Sequence, residues 1–238
     1  MTAKSIHIVL TLAVSASIVT TAALADEPQP SVQPPPVNKS PVVLTPSPSK
    51  PPLVAEPAAD TPQYFLQAAC ANCQKGNDRI AAARIRDTVR LMRLELRQAT
   101  DNGKLALERS IRELEMLAVN LEQGAATSLE QTRAAFARSQ QALAYHYQQR
   151  AAELRLQQKF QQAGQNLQAA ADSVAYGLNW VGQGARTKSR DVIVATRDFG
   201  DSLLRGTQAN VQQLDAQTKA LGQEIKRFGL RLVQPVDR

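Results

Sequence analysis

The sequence predicts an all-α fold: an elongated antiparallel helical bundle or coiled coil of about three long helices, preceded by a disordered proline-rich segment. Three observations carry this expectation. Twelve of the thirteen prolines fall between Pro28 and Pro62. Beyond them the chain is rich in Ala, Gln, Leu, Arg and Glu, all strong helix formers. Within that part, apolar residues recur every three or four positions, the period of a helix with one buried face.

The first 25 residues read as a cleaved secretory signal. Lys4 supplies a positive n-region, Ile6 to Val19 form an apolar run, and Ala23-Leu24-Ala25 offers small residues before Asp26. The run is shorter than the roughly 20 residues a membrane span needs, and Ser15 and Ser17 interrupt it. Cleavage after Ala25 would place the mature chain in the periplasm or outside the cell, with no transmembrane span. Residues 26–61 read as a disordered tether. Proline fixes φ and removes a backbone donor, and the few valines and leucines there cannot offset the entropy of ordering it. Extended as polyproline II, at about 3.1 Å per residue, the tether reaches on the order of 100 Å.

Thr61-Pro62 has the form of a helix start, threonine as N-cap and proline in the first turn. It opens a short leading helix over 62–76, and a long-helix bundle is expected over 77–234 with a four-residue tail after it. Ala82, Ile85, Val89, Met92, Leu96 and Ala99 form one apolar stripe. Leu107, Ile111, Leu114, Ala118 and Leu121 resume it after Gly103. We read Asp101-Asn102-Gly103 as a weak point in a continuous helix. A third stripe runs from Leu156 to Val181 and a fourth from Leu203 to Leu232. Gly124 and the pair Gly182 and Gly184 end sections, Thr127-Ser-Leu-Glu130 has capping-box form, Ser189 can cap the last helix, and Pro235 closes it. The expected helices therefore lie near 78–123, 129–181 and 190–233. Asp191 to Ala195 is the one candidate strand, and it has no partner.

The stripes are thin. Many positions are Ala or Thr, and aromatics make up 4% of the chain. At about 25 cal/mol per Å² buried, alanine contributes far less than leucine. Self-association or another envelope protein is the expected means of completing the burial.

From Tyr64 onward, 19 arginines and 6 lysines face 9 aspartates and 8 glutamates, so the positive charge sits on the helical body. Arg84, Arg86, Arg90, Arg93 and Arg97 form the densest cluster and are the candidate contacts to an anionic surface. With an export signal, that surface is expected to be anionic lipid, an envelope polymer or an acidic protein, and nucleic acid is not expected. The alternative is a solvated face laced with local ion pairs.

No catalytic constellation is legible, and the sequence is expected to encode neither an enzyme nor a metal or cofactor site. Cys70 and Cys73 form a Cys-Ala-Asn-Cys motif. In an exported chain they are a candidate disulfide, internal or between chains, although residues three apart on a helix are spaced beyond usual disulfide range. Redox chemistry would need the first thiol at a helix N-terminus, and Cys70 lies eight residues past Pro62. A structural zinc would need about four ligands, and after residue 25 the single histidine is His146. His146, between Tyr145 and Tyr147, shows no carboxylate or serine partner along the chain and reads as a surface or seam residue. Tyr176 and Trp180 share a helix face and are candidate interfacial aromatics or bundle-end packing.

These features give three expectations for function. The first is an exported, non-enzymatic scaffold or adaptor acting through its basic helical body. The second is an amphipathic-helix binder of lipid or membrane surfaces, which the thin seams and the glycines Gly177, Gly200 and Gly229 keep open. The third is a thiol–disulfide oxidoreductase using the cysteine pair.

Overall fold

A computed structural model describes residues 57–182, 187–206 and 210–233, and these are all-α, with no strand among them. They form α1 (Pro62–Gln74), α2 (Asp78–Leu96), α3 (Asp101–Glu122), α4 (Leu129–Leu156), α5 (Phe160–Trp180), α6 (Thr187–Leu204) and α7 (Val211–Val233). The signal expected over 1–25, the tether up to residue 56, Gly184 and Pro235 lie outside the described residues.

Each of the three expected long helices is interrupted once, and each interruption has a local cause. Over 78–123 the break falls at residues 97–100, just before the Asp-Asn-Gly triplet. Thr100 takes extended backbone and its Oγ1 accepts from the Gly103 N–H at 3.3 Å, so a new helix starts at Asp101. Over 129–181 the break is at Gln157 to Lys159. Gln158 adopts φ of 59°, and the Lys159 N–H reaches back to the Leu154 carbonyl at 2.9 Å. This is the same 6→1 closure that Gly76 and Gly124 make at the ends of α1 and α3, with glutamine in place of glycine. Over 190–233 the chain leaves α6 through Gly206, and Asn210 Oδ1 accepts from the Gln212 and Gln213 N–H groups to open α7.

Two smaller expectations shift. The capping box belongs to Ser128 and Gln131, one residue later than expected: Ser128 Oγ accepts from the Gln131 N–H at 3.0 Å, and Gln131 Oε1 from the Ser128 N–H at 3.1 Å. Ser189 lies inside the first turn of α6 rather than capping it, and the candidate strand 191–195 is helical. Its β-branched run is accommodated because Ile193 is fully buried where α6 packs on α5 and α7.

The helices pack around α4, which touches α1, α3, α5 and α7. One apolar core gathers side chains of α1, α2 and α3, including Leu66, Ile85, Met92, Leu107 and Leu114, against Phe136 and Leu143 of α4. A second gathers Leu167, Val174, Ile193, Leu214, Ile225 and Phe228 of α5, α6 and α7 against Ala137, Ala144, Ala151 and Leu154 of α4. Alternate faces of α4 thus belong to different cores, so its apolar residues surround the helix and trace no single stripe. The stripes read from sequence in α2, α3, α5 and α7 are largely buried. Leu156, by contrast, ends α4 exposed.

Small residues set the helix spacing. A methyl group on Gly164 would stand 3.0 Å from the Gly200 carbonyl, and one on Gly200 would stand 2.9 Å from the Gly164 carbonyl. The α5 and α6 backbones therefore touch. Gly177 faces the ring of the fully buried Phe228, where a methyl group would stand 2.5 Å from Cε1. These glycines serve close packing and do not loosen the helices. Between α6 and α7, the buried Glu224 carboxylate accepts from Ser189 Oγ at 2.6 Å and pairs with Arg227 and Arg231.

Candidate functional site

A cleft of about 750 Å³ opens where α3, α4 and α7 meet. Its apolar lining comes from Ala106, Met116, Ala142, Ile225, Leu232 and Val233. Met116 is 66% exposed and Val233 82% exposed. Three cations edge it: Arg109 and Arg112 from α3 and Lys226 from α7, all exposed. Among the described residues none of the three has an ion-pair partner, whereas Arg138 on the same wall is held by Glu113. The site is an apolar trough with spare positive charge on two sides.

Arg109, Arg112 and Met116 follow three-and-four spacing on one face of α3, a signal present in the sequence but overshadowed by the denser cluster on α2. Lys226 and Val233 lie more than a hundred positions along the chain and join them only through folding.

The α2 arginines are placed differently. Arg86 is bonded through both terminal amines to Glu122, and Arg93 through one to Glu115, both carboxylates on α3. Arg84 and Arg90 share Asp87 at 3.3 and 3.5 Å. Arg97, at the C-cap of α2, has no carboxylate partner among the described residues. Hydrogen bonding from Arg86 holds the Glu122 carboxyl below its ordinary range. Four of the five arginines are thus engaged by three carboxylates, two of them across the α2–α3 hairpin.

Cys70 is buried in the first core and Cys73 is half-buried, one turn on, near the end of α1. Both are free cysteines, and α1 stays helical through Gln74. Burial, then the Asp78 carboxylate and the Cys70 thiol, push the Cys73 thiol up to about 11. Reactive thiols need the opposite shift. Tyr176 is half-buried in a second cleft, beside Asp172 and Arg197. Trp180 packs edge-on against Phe136, centroids 5.2 Å apart, and its Nε1 donates to Gln63 Oε1 at 3.3 Å.

His146 does have a carboxylate partner, which corrects the reading from sequence. Its Nε2 donates to Glu95 Oε2 at 3.3 Å. Burial and then the Glu95 charge push the Tyr147 hydroxyl well above its ordinary range. Glu95 closes the last turn of α2, 51 positions from His146, so the pair is invisible to local spacing. The His146 Nδ1 atom is buried with no partner, so no nucleophile completes a triad there. The cluster ties α2 to α4.

No protein-family model matches the chain, and neither curated proteins nor solved structures show a match to it.

Proposed function

We propose that this protein is an exported, non-enzymatic adaptor of the cell envelope, an elongated antiparallel bundle held on its proline-rich tether. In this reading it binds an acidic amphipathic helix of a partner protein in the α3–α4–α7 cleft. The observation that carries the reading is the juxtaposition of exposed Met116 and Val233 with the cations Arg109, Arg112 and Lys226, which have no ion-pair partner among the described residues. An amphipathic helix buries its apolar face in such a groove, while acidic residues along its flank meet the cations. Methionine suits this role because its flexible thioether adapts to varied surfaces. The backbone contact between α5 and α6 and the burial of Phe228 favour a packed body over helices that open onto a membrane. The raised Cys73 thiol disfavours redox turnover.

The test uses the chain from residue 26 onward, with a photo-crosslinker at position 116, in native envelope extract. The expected product is a crosslink to an acidic helical segment of one protein, lost when Arg109 and Arg112 are both changed to Glu. A crosslink that survives this change would sink the proposal, and so would binding to anionic phospholipid vesicles with rising helicity and no protein crosslink.

A further inference from the structure

The second cleft, of about 520 Å³, lies between α1, α4 and α5 with Arg197 of α6 at its edge. Its volume falls within the range of small-molecule sites. Most of its polar groups are already satisfied from within. Asp172 accepts from Arg197 Nε at 2.6 Å, Ser173 Oγ donates to the Ala169 carbonyl at 2.8 Å, and Thr61 Oγ1 donates to the Ala58 carbonyl at 2.8 Å.

Two side chains are exceptions. Gln63 of α1 and Gln140 of α4 both line the cleft, 4% and 2% exposed, and the Nε2 group of each is buried without a partner. For Gln63 the orientation is settled by Trp180, whose Nε1 donates to Oε1 and leaves the amino end over. Buried polar groups in folded proteins are nearly always paired, and each primary amide carries two donors. Two amide donors of the lining are therefore without a partner among the described residues. Its charge is also balanced, since Asp172 and Arg197 neutralise each other. A carboxylate entering it would meet Asp172 with no unpaired cation beside it. The rest of the lining is apolar: Leu143, Ala169, Pro57, Pro62 and the rings of Tyr147 and Tyr176.

We infer that this cleft binds a small, uncharged, largely apolar molecule bearing carbonyl oxygens, an ester or amide, with the Gln63 and Gln140 amides donating to those oxygens. The site is separate from the α3–α4–α7 cleft and does not depend on the adaptor reading.

Three probes of one skeleton test it on the chain from residue 26 onward by saturation-transfer NMR and calorimetry at neutral pH: methyl 3-phenylpropanoate, 3-phenylpropanoate, and 3-phenylpropyl methyl ether. The ester is expected to bind, with the carboxylate and the ether about tenfold weaker or worse. Gln140→Leu should lower ester affinity by about tenfold, and Ala169→Phe, which fills the cleft and keeps both amides, should abolish binding. Circular dichroism checks that each variant folds, and if Gln140→Leu does not, Ala169→Phe alone carries the test. No ester binding at millimolar concentration, as when bound water satisfies both amides, overturns the inference. So does equal binding of ester and ether, or ester binding that survives Ala169→Phe.

Discussion

At the scale of single residues, burial decides what each side chain can do, and sequence shows burial only indirectly. Cys73 illustrates this. As a motif, Cys70 and Cys73 suggest a disulfide or a redox pair; in α1 the Cys73 thiol is half-buried beside Asp78, which disfavours the thiolate. Its pKa in the folded chain is raised from the ordinary value of 9.0 to about 11. The folded state therefore holds this proton more tightly than the unfolded state. The stability it contributes is present below about pH 9 and is lost as pH rises toward 11. In the reduced native protein, iodoacetamide at mildly alkaline pH should label Cys73 about a hundredfold more slowly than in denaturant, by the thiolate fraction alone. Equal labelling in the two states, followed by mass spectrometry, would contradict the burial argument. His146 teaches the same lesson from the other side, since its partner Glu95 is a neighbour in space only.

At the scale of helices, ends are legible where their chemistry is local. Thr61-Pro62 and Gly124 mark boundaries at the expected places because a hydroxyl cap, a ring-fixed φ and a left-handed glycine act within a few residues. The end of α4 is not legible, because Gln158 performs a turn that glycine usually performs. A left-handed conformation costs a non-glycine residue about 1–2 kcal/mol, part of which glycine would return through its freer unfolded chain. Gln158→Gly should therefore raise stability by about 0.5–1 kcal/mol, read as a higher urea midpoint with an unchanged slope. Destabilisation would mean that the Gln158 side chain makes a contact worth more than the strain. The stripes of α2, α3, α5 and α7 were readable for a related reason: each of these helices buries one main face, and a single face leaves a three-to-four period. α4 serves two cores and leaves none.

At the scale of the whole molecule, the two cores share α4, and that sharing predicts how the protein unfolds. Leu114 is fully buried in the first core and Leu167 in the second. Leu114→Ala and Leu167→Ala should each cost about 2–5 kcal/mol. Because α4 is common to both cores, either change should lower one cooperative transition seen alike by circular dichroism and by Trp180 fluorescence. Separate transitions for the two probes would show that α4 does not couple the cores. Alanine-rich helices suggest from composition alone a body too thin to stand by itself. The close contact at Gly164 and Gly200, with Ala163, Ala170 and Ala171 fully buried, shows that small residues here bring backbones together.

The sequence by itself determined the helical class, the start of α1, the glycine-terminated ends and most of the buried stripes, because propensity, capping and amphipathic period are properties of neighbouring residues. Tertiary structure alone decided the rest. It placed α4 between two cores, paired the α2 arginines with α3 carboxylates, set His146 against Glu95, and brought Arg109, Arg112 and Met116 of α3 beside Lys226 and Val233 of α7. It also buried Gln63 and Gln140 in one cleft with donors unspent. Each of these depends on which helix faces rest against each other across long stretches of chain. That choice follows from how side chains fit, and no local pattern records it.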